Sequence, residues 1–310
     1  MIPPRFLAPR YWLTWVAIGI LRAIERLPYA LLVRAGCALG RLARRLPLNY
    51  IKVARCNMRL CLPELDDAAR ERLLARHFEA LGVTICESAM SWWSSNERIA
   101  ELSQIEGAEN LERALAAGRG AIILTAHFTT LEIGARILNT TGFPMNVLYR
   151  PPKNELFAYV ANTNRKSFAR DEMKGTIERD DIRGMVRALR RNACVWYAPD
   201  QSYRNKGAEM VPFFGIPCAT NVATSRLAQL TGAAVLLYSH ERLADGRGYR
   251  VVIGPILEGY PSGSTQVDAL RFNHFIEEEV RRIPEQYWWI HRRFKGLTPD
   301  YPNYYGDAAR

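Results

Sequence analysis

No CxxC pair occurs among the six cysteines, Cys37, Cys56, Cys61, Cys86, Cys194 and Cys218. They are scattered, and several sit in apolar surroundings. That reads as free buried thiols in a reducing compartment, and a disulfide framework is not expected in a chain of this length. The sequence has no G-x-S-x-G elbow and no P-loop, so the motifs of a hydrolase serine and of a nucleotide-phosphate cradle are both missing. It also lacks zinc-finger spacing, an RNP-like aromatic motif and a clear helix-turn-helix, which argues against the usual nucleic-acid modules. No internal repeat or low-complexity tract is evident. The apolar run that begins at Tyr11 is broken at Arg22, short of the roughly 20 residues that span a bilayer.

What is present is a chain of 310 residues with 48% hydrophobic content, enough for one large domain or two modest ones with a sizeable core. Forty-two Lys and Arg against 31 Asp and Glu give a net charge of +11. Such an excess calls for an anionic partner: nucleic acid, lipid headgroups, or an acidic substrate or carrier.

The N-terminus points towards a membrane. In "RYWLTWVAIGIL", Tyr11, Trp12 and Trp15 suit a bilayer interface. No A-x-A site follows, and the next charged residues, Arg22, Glu25 and Arg26, do not fit a secretory signal. The following segment places Leu31, Leu32, Ala35, Leu39, Leu42, Ala43 and Leu46 on one helical face and Arg34, Arg41 and Arg45 on another. That is a basic amphipathic helix of the kind that lies on an anionic membrane, and equally a core helix with a solvated basic face. Positive charge is heavier after the apolar run than before it, which orients the main body to the cytoplasm. Residues 1–46 are therefore expected to form a membrane anchor and amphipathic helix, and 47–310 the body.

A long helix follows, capped by Asp66 or Asp67, with Leu73, Leu74, Phe78, Leu81 and Ile85 in helical spacing. Its His77 reads as structural or exposed. After Gly107, strands and helices alternate: "GAIILTAHF", "MNVLYR", "ACVWYAPD", "AAVLLYSH", "YRVVIGPI" and "YWWIHRRF" as strands. "TLEIGARIL", "NELFAYVANTNRKSF" (capped by Asn154), "DIRGMVRALR", "VATSRLAQLTG" and "TQVDALRFNHFIEEEVRRI" read as helices. The fold class is α/β, a mixed, largely parallel sheet flanked by helices, with a hairpin turn at "ADGRG" near its end.

In such folds chemistry gathers at the carboxyl ends of strands. His127, Asp200 and Arg150 each end a predicted strand, and His291 lies near the end of another. Thr129-x-x-Glu132 matches a capping box, in which Glu132 merely closes a helix. The same spacing points Glu132 back towards His127, where it could fix the tautomer and leave the other ring nitrogen to take a hydroxyl proton. The spacing fits zinc poorly, and no metal or cofactor is expected. Asp200 could orient a hydroxyl, support a base or bind an arginine. Arg150 suits a phosphate, a carboxylate or an oxyanion. His291, Arg292 and Arg293 form a cationic cluster beside "YWW".

Together "AHFTTLEIGARIL", "VLYRPPKN", "DIRGMVRALRRNACVWYAPDQ" and "PEQYWWIHRRFK" resemble the late acyltransferases of lipid A biosynthesis, the lauroyl type above all. The likeness covers nearly the whole chain. It implies a glycerolipid-acyltransferase-like fold, with His127 and Glu132 as the catalytic pair. It also implies transfer of a fatty acyl chain from acyl carrier protein to a hydroxyl on a 3-hydroxyacyl chain of the Kdo-bearing tetra-acyl lipid A precursor. The setting would be the inner membrane, held by a single N-terminal anchor, with the catalytic domain on the cytoplasmic face. Acyl carrier proteins are acidic and lipid A precursors carry phosphates, so both suit +11, and nucleic acid is not needed as a partner. Arg150, Asp200, His291, Arg292 and Arg293 are the expected substrate-binding residues. The alternatives are a myristoyl or palmitoleoyl transferase, another lipid acceptor, and a membrane-peripheral binding protein without catalysis.

Overall fold

The computed structural model of the chain describes residues 2–150, 152–167 and 175–306. Two short 3-10 turns lead into α1 (Trp12–Glu25), α2 (Tyr29–Arg44), α3 (Asn49–Cys61) and α4 (Asp67–Trp93). Asp66 caps α4, its Oδ1 accepting from Ala69 N at 2.6 Å. Then come α5 (Asn96–Glu101), β1 (Ser103–Glu106), α6 (Ala108–Ala116), β2 (Ala121–Leu124), α7 (Leu131–Thr140) and β3 (Met145–Tyr149). The chain continues through α8 (Glu155–Ser167), β4 (Gly175–Glu178), α9 (Ile182–Arg190), β5 (Cys194–Tyr197) and a hairpin of β6 (Ala208–Phe213) and β7 (Ile216–Asn221). It closes with α10 (Ala223–Thr231), β8 (Ala234–Arg242), β9 (Tyr249–Ile256) and α11 (Thr265–Arg282).

Seven strands form one sheet in the order β1-β9-β8-β2-β5-β3-β4. All neighbours pair parallel except β8 and β9, which are antiparallel across the expected hairpin. β2 and β5 are buried along their whole length, so their apolar runs do not alternate. Ile122 and Leu124 face a core shared with α3, α9, α10 and α11. Ala121 and Ile123 face another, built with α6, α7 and parts of α2 and α4. The result is a sheet sandwiched between helical layers, the expected α/β class.

Two N-terminal expectations change. α1 is 14 residues long, and no helix among the described residues is long and apolar enough to cross a membrane. The transmembrane anchor is therefore unsupported. Instead α1 is pinned to the body at its end. The buried Glu25 carboxylate accepts from Ser94 Oγ at 2.8 Å, and Arg98 holds the carbonyls of Glu25 and Leu27. The face of α2 that meets α4 is Tyr29, Leu32, Gly36 and Gly40. There the backbones approach so closely that a Cβ on Gly82 would lie 2.1 Å from Gly36 O and 2.5 Å from Gly40 N. Leu31, Leu39, Leu42 and Leu46, expected on the apolar face, stay exposed, as do Trp12, Leu13, Val16 and Ile20 of α1.

"YWWIHRRF" is not a strand. Its backbone groups are used elsewhere: Trp288 N donates to His127 O at 3.0 Å, and Phe128 and Tyr287 form a lone bridge. β1, β4 and the β6–β7 hairpin were not read from the sequence. The helix expected through Phe168 is described as far as Ser167, and Phe168 lies outside the described residues.

Candidate active site

The register of the sheet brings the site together. Leu124 of β2 lies beside Tyr197 of β5, and the strands are parallel. Three residues past each strand end come His127 and Asp200. Equal offsets from paired positions put them side by side. His127 Nδ1 and Asp200 Oδ1 are 2.5 Å apart, and His127 N donates to Asp200 Oδ2 at 3.0 Å. The carboxylate thus grips both the ring and the backbone of the histidine. Asp200 is buried. Burial pushes its pKa up, but the charge and hydrogen bonds of His127, with the Arg293 charge behind, outweigh this and hold it below the ordinary value. An ionised partner at Nδ1 leaves Nε2 as the ring nitrogen for substrate.

Glu132 lies in the same cavity but makes a different contact from the one expected. Its Oε1 accepts from Arg165 Nε at 2.9 Å and Trp92 Nε1 at 3.1 Å, and its Oε2 from Arg165 at 2.6 Å. Burial raises its pKa, and Arg165 and Trp92 more than offset that, so it too is lowered. The orienting role that sequence spacing offered to Glu132 is occupied by Asp200. The capping box is not formed either. The cap residue of α7 is Thr130, not Thr129, and it makes no side-chain cap bond. Thr130 Oγ1 instead meets His240 Nδ1 at 2.8 Å.

The loop carrying His127 rests on the "PEQYWWIHRRFK" segment. Thr129 N donates to Gln286 O at 2.7 Å, and the Gln286 side chain clasps the backbone of Arg242 in both directions. Arg242 in turn forms a buried ion pair with Glu87 of α4. Asn57 of α3 donates to the carbonyls of Trp289 and His291 at 2.6 and 2.8 Å. These ties fix the loop from three elements. His77 belongs to the same support: it is fully buried, with Nδ1 3.1 Å from Glu285 O.

Of the C-terminal cluster, Arg293 is buried and bonds Ala219 O at 3.0 Å and Thr220 Oγ1 at 2.9 Å, securing β7. His291 Nε2 accepts from Ser202 N at 3.1 Å, tying down the loop after Asp200. Burial pushes His291 down to about 4, so this acceptor stays neutral. Neither residue lines a cavity with His127, whereas Arg150 does.

Two cavities meet at His127. The first, about 330 Å³, runs along α7 and β3 past Leu131, Glu132, Ala135, Val147 and Arg165. The second, about 500 Å³, opens between the loop after Asp200, α9 and α10. His127, Leu131, Leu148, Tyr149, Arg150 and Trp196 line both. An imidazole poised between two chambers suits a two-substrate reaction in which one partner gives up a proton. Arg165, Trp92 and the His127–Asp200 pairing were missed in the sequence. The equal three-residue offset of "AIIL-TAH" and "CVWY-APD" was the signal that could have found the pairing.

This arrangement defines an α/β enzyme with a histidine–carboxylate pair at the carboxyl edge of its sheet. Residues 2–296 match the family described as bacterial lipid A biosynthesis acyltransferase. The chain is 40% identical over 291 residues to the lipid A biosynthesis palmitoleoyltransferase of Escherichia coli (strain K12), covering 94% of this chain and 93% of that protein. It is 35% identical over 300 residues to the lauroyltransferase of the same organism, covering 96% of each. To its myristoyltransferase the identity is 28% over 299 residues, covering 95% and 90%. The chain belongs to the bacterial lipid A biosynthesis acyltransferase family, and it is an acyltransferase.

Proposed function

We propose that the protein transfers a fatty acyl chain from acyl carrier protein to a hydroxyl on a 3-hydroxyacyl chain of the Kdo-bearing tetra-acyl lipid A precursor, at the inner membrane. The observation that carries the mechanism is the His127–Asp200 pair at the junction of two cavities. His127 Nε2 takes the proton of the acceptor hydroxyl while Asp200 stabilises the imidazolium that forms. The alkoxide adds to the thioester carbonyl. The tetrahedral intermediate then expels the carrier thiolate, which takes the proton back from His127. Arg150 lines both cavities with His127 and is the candidate to hold the oxyanion. The Thr129 and Leu131 N–H groups at the start of α7 already donate to Gln286 O and Phe128 O. Glu132 keeps the Arg165 guanidinium in place beside the acceptor, a positioning role in the same cavity.

The exposed apolar residues of α1 and α2, with the exposed Arg34, Arg41 and Arg45, support seating of residues 1–46 on an anionic bilayer without crossing it. Residues 47–310 form the transferase body on the cytoplasmic side.

Acyl transfer in detergent micelles tests this reading. Wild-type protein with lauroyl- or palmitoleoyl-acyl carrier protein should yield a penta-acyl product from the tetra-acyl precursor. Lauroyl is tried first on the motif likeness and palmitoleoyl second on the 40% identity. His127→Ala should lower the rate by about 10²- to 10⁴-fold, the usual share of a general base. No product with any chain length would sink the assignment of this acceptor.

A further inference from the structure

The second cavity differs from the first in what surrounds its mouth. Arg179, Lys206 and Arg226 line it. The loop after Asp200 also carries Arg204, and both Arg204 and Lys206 are exposed. That loop is fixed to the C-terminal segment through Ser202 N and His291 Nε2, which brings Arg292 and Lys295 alongside. The Lys295 pKa is lowered first by burial and then by the charges of Arg292 and Arg204, so both arginines lie close enough to act on it. Two carboxylates temper the rim: Asp180 lies 3.5 Å from Arg179, and Glu209 lies 3.8 Å from Arg226. Arg204, Lys206 and Lys295 make no ion pair among the described residues. Ile182 and Leu230, each 60% exposed, line the same cavity.

We propose that this basic rim, Arg179, Arg204, Lys206, Arg226, Arg292 and Lys295, is the docking surface for the acidic acyl carrier protein, whose acyl-bearing arm enters the second cavity to reach His127. The inference rests on the carrier-dependent reading above. Cations drawn from four separate segments of chain, with two exposed apolar residues on the same cavity, fit a protein surface of opposite charge better than a single phosphate, which converging donors grip. The two cavities also divide the substrates. The first is walled by Arg165 of α8, and α8 carries α1: Tyr11 OH donates to Glu155 and Asn154 Nδ2 to Thr14 Oγ1. The lipid acceptor therefore arrives on the side of the apolar helices and the carrier on the side of the cations. Charge steering of this kind acts on association and weakens with salt.

The test uses the full-length protein with lauroyl-acyl carrier protein as one donor and lauroyl-pantetheine as a donor without the protein. The variant is Arg204→Glu/Lys295→Glu, with Arg204→Ala/Lys295→Ala as the milder form; neither residue lines either of the two cavities at His127. KM for the acylated carrier should rise by about tenfold or more and lose most of its salt dependence. The lipid KM, and kcat with lauroyl-pantetheine, should stay at wild-type values, which also shows that the variant is folded. A rise in the lipid KM instead would assign the rim to lipid phosphates and overturn the proposal. Lost binding to anionic vesicles with an unchanged carrier KM would assign it to the membrane, with the same result. If wild-type protein transfers from lauroyl-pantetheine but never from the carrier, the carrier reading itself fails and the docking surface goes with it.

Discussion

His127 shows how much a single side chain owes to its neighbours. Its loop has few regular hydrogen bonds of its own, and Asp200, Gln286 and the Trp288 N–H supply them. Two other histidines, His77 and His240, are buried. Burial pushes them down to about 4 and about 3. The unfolded chain therefore takes up these protons first, as pH falls below about 6.5. Stability is fully present above that value and declines towards the folded pKa values, by about 1.4 kcal/mol per pH unit for each histidine. Urea unfolding at about pH 7.5 and about pH 5 should show a clear drop in midpoint. His240→Gln should reduce that drop even if it lowers stability overall. A midpoint independent of pH across this window would contradict the buried, neutral state.

At the scale of elements, α2 and α4 are joined by glycines. Replacing Gly82 with Ala would gain up to about 1 kcal/mol in helix propensity. The added Cβ would lie 2.1 Å from Gly36 O, a backbone atom that cannot swing aside. Overpacking of that kind costs about 1–3 kcal/mol, so Gly82→Ala should destabilise. Gly19→Ala in α1, where a Cβ meets nothing within 4 Å, should be neutral or mildly stabilising. Denaturation midpoints of the two variants check both. The sequence made the elements legible where one force dominated. β2 and β5 are short apolar runs between turn signals, α4 has an aspartate cap, and β8 and β9 flank a clear turn. It misled where tertiary contacts decided. "YWWIHRRF" has the aromatic content of a strand, yet its backbone pairs with the His127 loop. Glu132 has capping-box spacing, yet its partner Arg165 lies 33 residues along, on α8. No local pattern encodes that contact. His127 and Asp200 were each visible as strand-end residues; the pairing needed the strand order β2-β5, which skips β3 and β4.

For the molecule as a whole, surface chemistry is divided. Trp12, Leu13, Val16 and Ile20 of α1, and Leu31, Leu39 and Leu42 of α2, are exposed large apolar residues. Four such residues within nine positions of one helix fit an interaction site. Leu13→Glu with Val16→Glu should weaken binding to anionic vesicles by at least about tenfold, since each buried apolar side chain contributes about 1.5–3 kcal/mol. Acyl transfer in micelles should change far less. Sedimentation with vesicles measures the first and product formation the second. Equal loss of both would mean that α1 supports the fold of the site and not its placement at the bilayer.

The central claim is that Asp200, and not Glu132, orients the base. Its direct test is the pH–rate profile of acyl transfer for wild-type protein, Asp200→Asn and Glu132→Gln. Asp200→Asn should lower kcat/KM by about 10²- to 10⁴-fold and move the acid limb to lower pH, because the imidazolium loses its counter-charge. Glu132→Gln should slow the reaction while leaving that limb at its wild-type position. A limb that moves in Glu132→Gln and stays in Asp200→Asn would contradict the account.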